Sequence, residues 1–69
     1  MNQTEFLVYI NTLQLGQRVI ETTKGNAFFG RKGTIVKSTV TDGRAVKWDA
    51  APGETGQMTT GITWGTRKV

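Results

Sequence analysis

The chain lacks cysteine and histidine entirely, and this absence restricts its chemistry. Neither residue occurs among the 69 positions. The chain therefore has no disulfides, no thiolate nucleophile, no thiolate or imidazole metal ligand, and no imidazole to act as a general base near neutral pH. We expect no catalytic residues, no metal and no cofactor, and we do not expect the protein to be an enzyme.

Long hydrophobic runs and proline are also scarce. The longest apolar run, Phe6 to Ile10, has no basic segment before it and is too short for a membrane span or a signal peptide. We therefore expect a cytoplasmic protein without a membrane partner. A single Pro against 9 Gly is typical of a folded chain with many tight turns rather than of a proline-rich disordered tail.

Acidic residues are outnumbered by basic ones, 5 against 9, which gives a net charge of +4. Such an excess favours anionic partners, although it is smaller than in proteins that coat nucleic acid. The length allows one small domain with a shallow core. Either a bound ligand or self-association into a homo-oligomer would stabilise such a domain. We predict a single domain over 1–69, with an N-terminal extension over 1–13 and a barrel over 14–69.

Alternation of apolar and polar residues, with glycine-containing turns, predicts a mainly β chain. Predicted strands cover 18–22, 33–40, 44–48, 58–63 and 66–69, and the Asp42-Gly43 pair predicts a two-residue hairpin turn. The N-terminal segment has two interpretations. Phe6, Tyr9 and Ile10 follow helical spacing with Asn2 or Thr4 as a cap, whereas the continuous apolar run also fits a strand.

Three segments carry a resemblance to a known family. Gly16-Gln17-Arg18-Val19, then Gly25 and Gly30-Arg31-Lys32-Gly33-Thr34-Ile35-Val36, resemble the KOW type of SH3-like barrel, and Ala45-Val46-Lys47-Trp48-Asp49 resembles its third strand. The resemblance implies an SH3-like small antiparallel barrel of about five strands, with a short N-terminal helix or extra strand. It also implies an RNA-binding or nucleoprotein-binding edge formed by the loops beside 28–32 and 49–57.

A second resemblance, to the type II dihydrofolate reductases, implies an oligomeric enzyme instead. It rests on the same Gly16–Val19 opening, the 33–36 strand, and Ala45-Val46 followed by Ala51-Pro52-Gly53. In that family a Val-Gln-Ile-Tyr segment lines the active-site pore, and the segment here, Gly56–Thr59, keeps only the glutamine. Glu21 also stands where the family has a basic residue, which reverses the charge offered to an anionic substrate.

Arg31-Lys32, between two glycines and beside Phe28-Phe29, is the sharpest local feature. The glycines let the backbone approach a phosphate closely, and the two cations supply positive charge. An ordinary solvated turn would explain the same residues. One phenyl ring can anchor the loop to the core while the other stays exposed for stacking or protein contact. Lys37, Arg44 and Lys47 could extend this charge as a stripe, or serve only for solubility and edge protection.

The two tryptophans divide between core and surface. Trp48 shares the inward alternation of Val46 and is predicted to be core, whereas Trp64 fits either a stacking surface beside Arg67 and Lys68 or a lid on the barrel. The predicted partner is DNA or RNA. The alternative is a protein partner. In that case this chain is a module, encoded by a phage or plasmid, that regulates or inhibits the partner protein. The candidate nucleic-acid-binding residues are Phe28, Phe29, Arg31, Lys32, Lys37, Lys47, Trp64, Arg67 and Lys68.

Overall fold

A computed structural model describes residues 2–41 and 43–69. In chain order its elements are α1 (Gln3–Thr12), β1 (Arg18–Glu21), β2 (Lys32–Lys37), β3 (Arg44–Trp48), β4 (Thr59–Gly61) and β5 (Thr66–Lys68). The chain is thus mostly β, as the sequence predicted, and it has one short helix. The observed β4 and β5 are shorter than the predicted strands over 58–63 and 66–69.

The five strands form one antiparallel sheet in the order β4-β3-β2-β1-β5. Strands β4 and β5 are its two edges, and no ladder joins them in the part of the chain that the structure describes. The sheet is therefore open, and the closed barrel expected from the sequence is not formed.

The N-terminal segment is a helix, which decides between the two interpretations of its sequence. Asn2 is the N-cap, and its side-chain oxygen accepts a hydrogen bond from the Glu5 N–H at 2.8 Å. This bond satisfies one of the backbone donors that a helix start leaves free. Glu5 also places a negative charge in the first turn, where the helix dipole favours it. After the helix, Leu13 adopts an extended backbone and is fully buried.

The core lies on one face of the sheet. Leu13, Val19, Ile35, Val46 and Trp48 form its buried cluster, and Tyr9, Phe28 and Ile62 pack against it from the surrounding segments. Trp48 is 1% exposed, which confirms the prediction that it belongs to the core. Its indole N–H donates to the Thr60 hydroxyl at 2.7 Å, so the polar atom of this ring is satisfied.

The connection between β2 and β3 differs from the predicted two-residue turn. Strand β2 ends at Lys37, which pairs with Arg44, and the Ser38 N–H donates to the Gly43 carbonyl oxygen at 2.9 Å, so the connection is longer than the predicted two-residue turn. Asp42, which was expected to form the turn with Gly43, lies outside the described residues. The Ser38 hydroxyl accepts hydrogen bonds from the N–H groups of Val40 and Thr41 at 3.2 Å each. This local bonding replaces the sheet ladder there.

Candidate nucleic-acid interface

Three cations share the face of the sheet that points away from the core. Directly opposed residues on antiparallel strands lie on the same face, and the register opposes Arg18 to Thr34 and Thr34 to Lys47. Lys32 precedes Thr34 by two residues and so lies on the same face. We call Arg18, Lys32 and Lys47 the outer-face cations. All three residues are exposed.

The strand spacing sets the size of this group. Arg18 and Lys47 are two strands apart, which corresponds to about 10 Å between their backbones, and Lys32 is about 7 Å along the strand from Thr34. The register therefore gathers three positive side chains on one small area of sheet around Thr34. A patch of this kind can contact neighbouring phosphates of one nucleic-acid backbone.

Arg18 is held in place by an ion pair across the strand ends. Its guanidinium donates to both carboxylate oxygens of Asp49, at 2.9 and 2.5 Å, and to the Thr34 hydroxyl at 2.7 Å. The hydrogen bond from Arg18 lowers the pKa of Asp49, and the charge of Lys32 lowers it further. The same hydrogen bond raises the pKa of Arg18. Arg18 is therefore a positioned cation beside two freer lysines.

Asp49 offsets part of this positive surface, because it is paired with Arg18. Glu21 is 1% exposed and Glu54 is paired with Arg31, so neither of them offsets the two lysines. Within the described residues, Lys32 and Lys47 enter no ion pair. The surface charge of the outer face is therefore positive, as the net charge of +4 leads one to expect.

Phe28 and Phe29 divide the two roles that the sequence left open. Phe28 stacks on Trp48 with ring centroids 5.0 Å apart, and the Arg31 guanidinium lies 5.2 Å from the Phe28 ring centre. Phe28 is thus an anchor between the core and Arg31 rather than a free stacking surface. Phe29 is 53% exposed and is the phenyl ring available to a partner.

Arg31 is bound by its own chain more tightly than the sequence suggested. Its guanidinium donates to Glu54 at 3.1 Å, which joins the loop before β2 to the loop after β3. A cleft of about 370 Å³ opens here, lined by Phe28, Arg31, Glu54 and Met58 among others. Arg31 is therefore part of a loop-to-loop bridge and is a weaker phosphate candidate than Lys32.

Gly33, on the other side of the Arg31-Lys32 pair, is explained by packing. The residue is buried, and a Cβ there would lie 2.7 Å from a Val46 methyl and 2.9 Å from the Lys47 carbonyl oxygen. Only glycine fits this close approach of strands. Gly30 instead adopts φ +79, which is the left-handed conformation that favours glycine in loops.

Arg67 opposes Ile20, which opposes Lys32, so its register places it on the outer face. Its guanidinium, however, is turned toward Trp64 at the β5 edge. Trp64 is 45% exposed and stacks on Phe6 of the helix with centroids 4.5 Å apart. Arg67 donates to the Trp64 carbonyl oxygen at 2.5 Å, and its guanidinium lies 5.5 Å from the Tyr9 ring centre. These residues form a separate aromatic and basic group at the β5 edge, and Arg67 contributes less charge to the sheet face than its register suggests.

Lys37 and Lys68 do not join the outer-face cations. Lys37 pairs with Arg44 at the end of the β2–β3 hairpin, and both alternate with the core face, so the predicted stripe through Lys37 and Arg44 is not formed. Lys68 opposes the buried Val19 at the edge of the sheet. Both lysines are exposed, but neither lies beside Lys32 and Lys47.

Sequence reasoning missed Arg18 as a cation of the site. The available signal was its alternation: Arg18 and Ile20 lie on the strand face opposite the buried Val19. What could not be read was the pairing with Asp49, which lies 31 residues further along the chain. Among the described residues, no group of three or more acidic residues is placed to hold a metal ion, and no helix is long and apolar enough to cross a membrane.

No family model, curated protein or solved structure matches this chain.

Proposed function

We propose that this chain is a non-catalytic module that binds the backbone of DNA or RNA through Arg18, Lys32 and Lys47. The observation that carries the proposal is the register that brings these three exposed cations onto one face of the sheet. Backbone contacts of this kind position a protein on nucleic acid without reading its sequence. Exposed Phe29 would add stacking on an unpaired base.

We propose that the fold is an opened SH3-like roll of the KOW type, in line with the family resemblance. The chain from Gly61 to Thr66 must cross between opposite edges of the sheet, and five residue steps reach at most about 18 Å. Four strand spacings in a flat sheet already amount to about 19 Å. The sheet must therefore curl toward a barrel, which supports the proposed fold.

Binding to labelled single-stranded and double-stranded DNA and RNA tests the function. We expect binding at low salt that Lys32→Glu with Lys47→Glu weakens by about tenfold or more, because phosphate contacts are lost. The matched control is Lys24→Glu with Lys37→Glu, which changes the net charge equally at exposed positions off the outer face. Equal losses in both variants would contradict the proposed site.

A protein partner is the second candidate function, favoured by the apolar side chains around the cleft at Phe28. Met58, which lines this cleft, is 60% exposed, and Phe29, the chain neighbour of Phe28, is 53% exposed. Aromatic and methionine side chains are common in protein interfaces. Such binding would depend on Phe29 and Met58 and would tolerate both moderate salt and the double lysine reversal. The same set of variants therefore separates the two functions.

A further inference from the structure

The two edges of the sheet differ in how their backbone groups are satisfied. On β5, the Val69 N–H donates to the Arg18 carbonyl, so by alternation the backbone groups of Thr66 and Lys68 point outward. The Thr66 carbonyl accepts from the Tyr9 hydroxyl at 2.6 Å and from Arg67 at 3.1 Å. The Thr66 N–H donates to the Thr63 carbonyl at 3.2 Å. The β5 edge is thus closed at Thr66 and charged at Lys68.

The β4 edge has no comparable protection. The Trp48 N–H donates to the Met58 carbonyl at 2.9 Å, so by the same alternation the backbone groups of Thr59 and Gly61 point away from β3. The Gly61 carbonyl accepts only from the adjacent Thr60 hydroxyl, at 3.2 Å. In the described part of the chain, no hydrogen bond engages the Thr59 backbone or the Gly61 N–H.

Charge does not protect β4 either. Residues 55–66, between Glu54 and Arg67, contain no charged side chain and no proline, although natural proteins usually blunt exposed edges with lysine or proline. Threonine, which favours strands, is common in this stretch, which also contains Ile62. The edge is therefore a template for pairing with another strand.

Space for a neighbouring strand is present on both sides of β4. A cleft of about 440 Å³ lies between β4 and the tip of the β1–β2 loop, and another of about 280 Å³ lies between β4 and the β2–β3 loop. Thr60 and Gly61 line both clefts. An added strand obtains affinity from main-chain hydrogen bonds and fit from pockets for its alternate side chains.

We propose that β4 pairs antiparallel with β4 of a second copy of this chain, giving a two-fold symmetric dimer with one continuous sheet. A symmetric interface brings the same surface of both copies together. Two copies with a net charge of +4 each repel wherever their cations meet, and the uncharged stretch 55–66 avoids that repulsion. This proposal does not depend on nucleic-acid binding.

Sedimentation of the full chain over a range of concentrations tests the dimer. We expect a shift from the 7.6 kDa chain mass to twice that mass as concentration rises. Gly61→Lys should remain monomeric, because lysine on an edge opposes strand pairing. Gly56→Lys is the matched control, since a Cβ at either glycine meets nothing within 4 Å and Gly56 lies outside the strand; it should dimerise like the parent chain.

Amide hydrogen exchange locates the pairing within the strand. The N–H groups of Thr59 and Gly61 should exchange more slowly at dimer-forming concentrations, whereas that of Thr60, which faces β3, should not depend on concentration. A parent chain that stays monomeric at every concentration would overturn the proposal. An extended peptide of another protein would then be the candidate to pair with this edge. Equal dimerisation of the two lysine variants would overturn it as well.

Discussion

The Thr63 hydroxyl lies 2.7 Å from one carboxylate oxygen of Glu21 and 2.9 Å from the other, and it joins the turn before β5 to the end of β1. The same carboxylate accepts from the Thr66 hydroxyl at 3.1 Å and from the Thr23 N–H at 3.0 Å. Glu21 is 1% exposed. Burying a carboxylate without a cationic partner costs free energy unless hydrogen bonds satisfy its oxygens. The hydrogen bonds of Glu21 satisfy them and fix the turn that carries Trp64.

Replacing Glu21 with glutamine should lower the free energy of unfolding by about 1–3 kcal/mol, because the amide N–H₂ cannot accept the hydrogen bonds that the carboxylate accepts. Urea unfolding followed by tryptophan fluorescence measures the change. The control, Glu5→Gln on the exposed part of the helix, should cost less than about 1 kcal/mol, since it affects only the helix dipole. A Glu21→Gln protein as stable as the control would contradict the role of this network.

Stability should fall in acid as these carboxylates become protonated. Burial alone would raise the pKa of Glu21, but the hydrogen bonds from Thr63, Thr23 and Thr66 outweigh it, and the pKa is lowered. The pKa of Asp49 is lowered by Arg18. A carboxylate with a lowered pKa stabilises the fold above its unfolded-state pKa and loses that contribution as the pH falls through its folded-state pKa.

Thermal unfolding between neutral pH and about pH 2 measures this dependence, with the decline expected below the ordinary carboxyl pKa values of about 4. Glu21→Gln should show a shallower decline than the parent chain, because the substituted side chain no longer titrates. Parallel curves for the two proteins would show that Glu21 does not contribute to the acid dependence.

Gly65→Ala should destabilise the protein by about 1–3 kcal/mol through overpacking. A Cβ at Gly65 would overlap the Thr23 hydroxyl oxygen and lie 2.7 Å from a Glu21 carboxylate oxygen. At Gly56 a Cβ meets nothing within 4 Å, so Gly56→Ala is the control and should unfold within about 0.5 kcal/mol of the parent chain. Equal unfolding midpoints for both alanine variants would contradict the packing at Gly65.

Phe28→Ala should cost about 2–4 kcal/mol in unfolding free energy, because it removes the stack on Trp48 and leaves a gap beside the core. Phe29→Ala, at a ring that is 53% exposed, should remain within about 0.5 kcal/mol of the parent chain. The pair therefore separates the anchor from the exposed ring by chemical denaturation. A larger loss from Phe29→Ala than from Phe28→Ala would reverse the assignment.

The sequence predicted β1 and β3 well, because alternation and β-branched residues mark a half-buried strand. The predicted β2 extends to Val40, because the threonines and valine there favour strands. In the structure the Val40 and Thr41 N–H groups donate to the Ser38 hydroxyl, a contact that the sequence pattern does not predict. The N-terminal apolar run fits both a helix and a strand, and the structure shows a helix with Asn2 as its N-cap.

The candidate site was predictable in its parts but not in its arrangement. Lys32 and Lys47 were identified from their charge, whereas the register places Arg18 on the same face and separates Lys37 from them. Glu21 could not be predicted as buried, because its hydroxyl donors Thr63 and Thr66 follow it by 42 and 45 residues. Contacts over such separations depend on the folded topology rather than on local pattern.

The salt dependence of nucleic-acid affinity is the most direct measurement of the central claim. A plot of log affinity against log salt between about 50 and 200 mM should have a slope of about −2 to −3 for the parent chain, if the outer-face cations contact two or three phosphates. Lys32→Glu with Lys47→Glu should reduce that slope to near zero or −1, whereas Lys24→Glu with Lys37→Glu should largely retain it. Absence of binding at the lower salt concentration, or a slope that the first pair of substitutions leaves unchanged, would contradict the account.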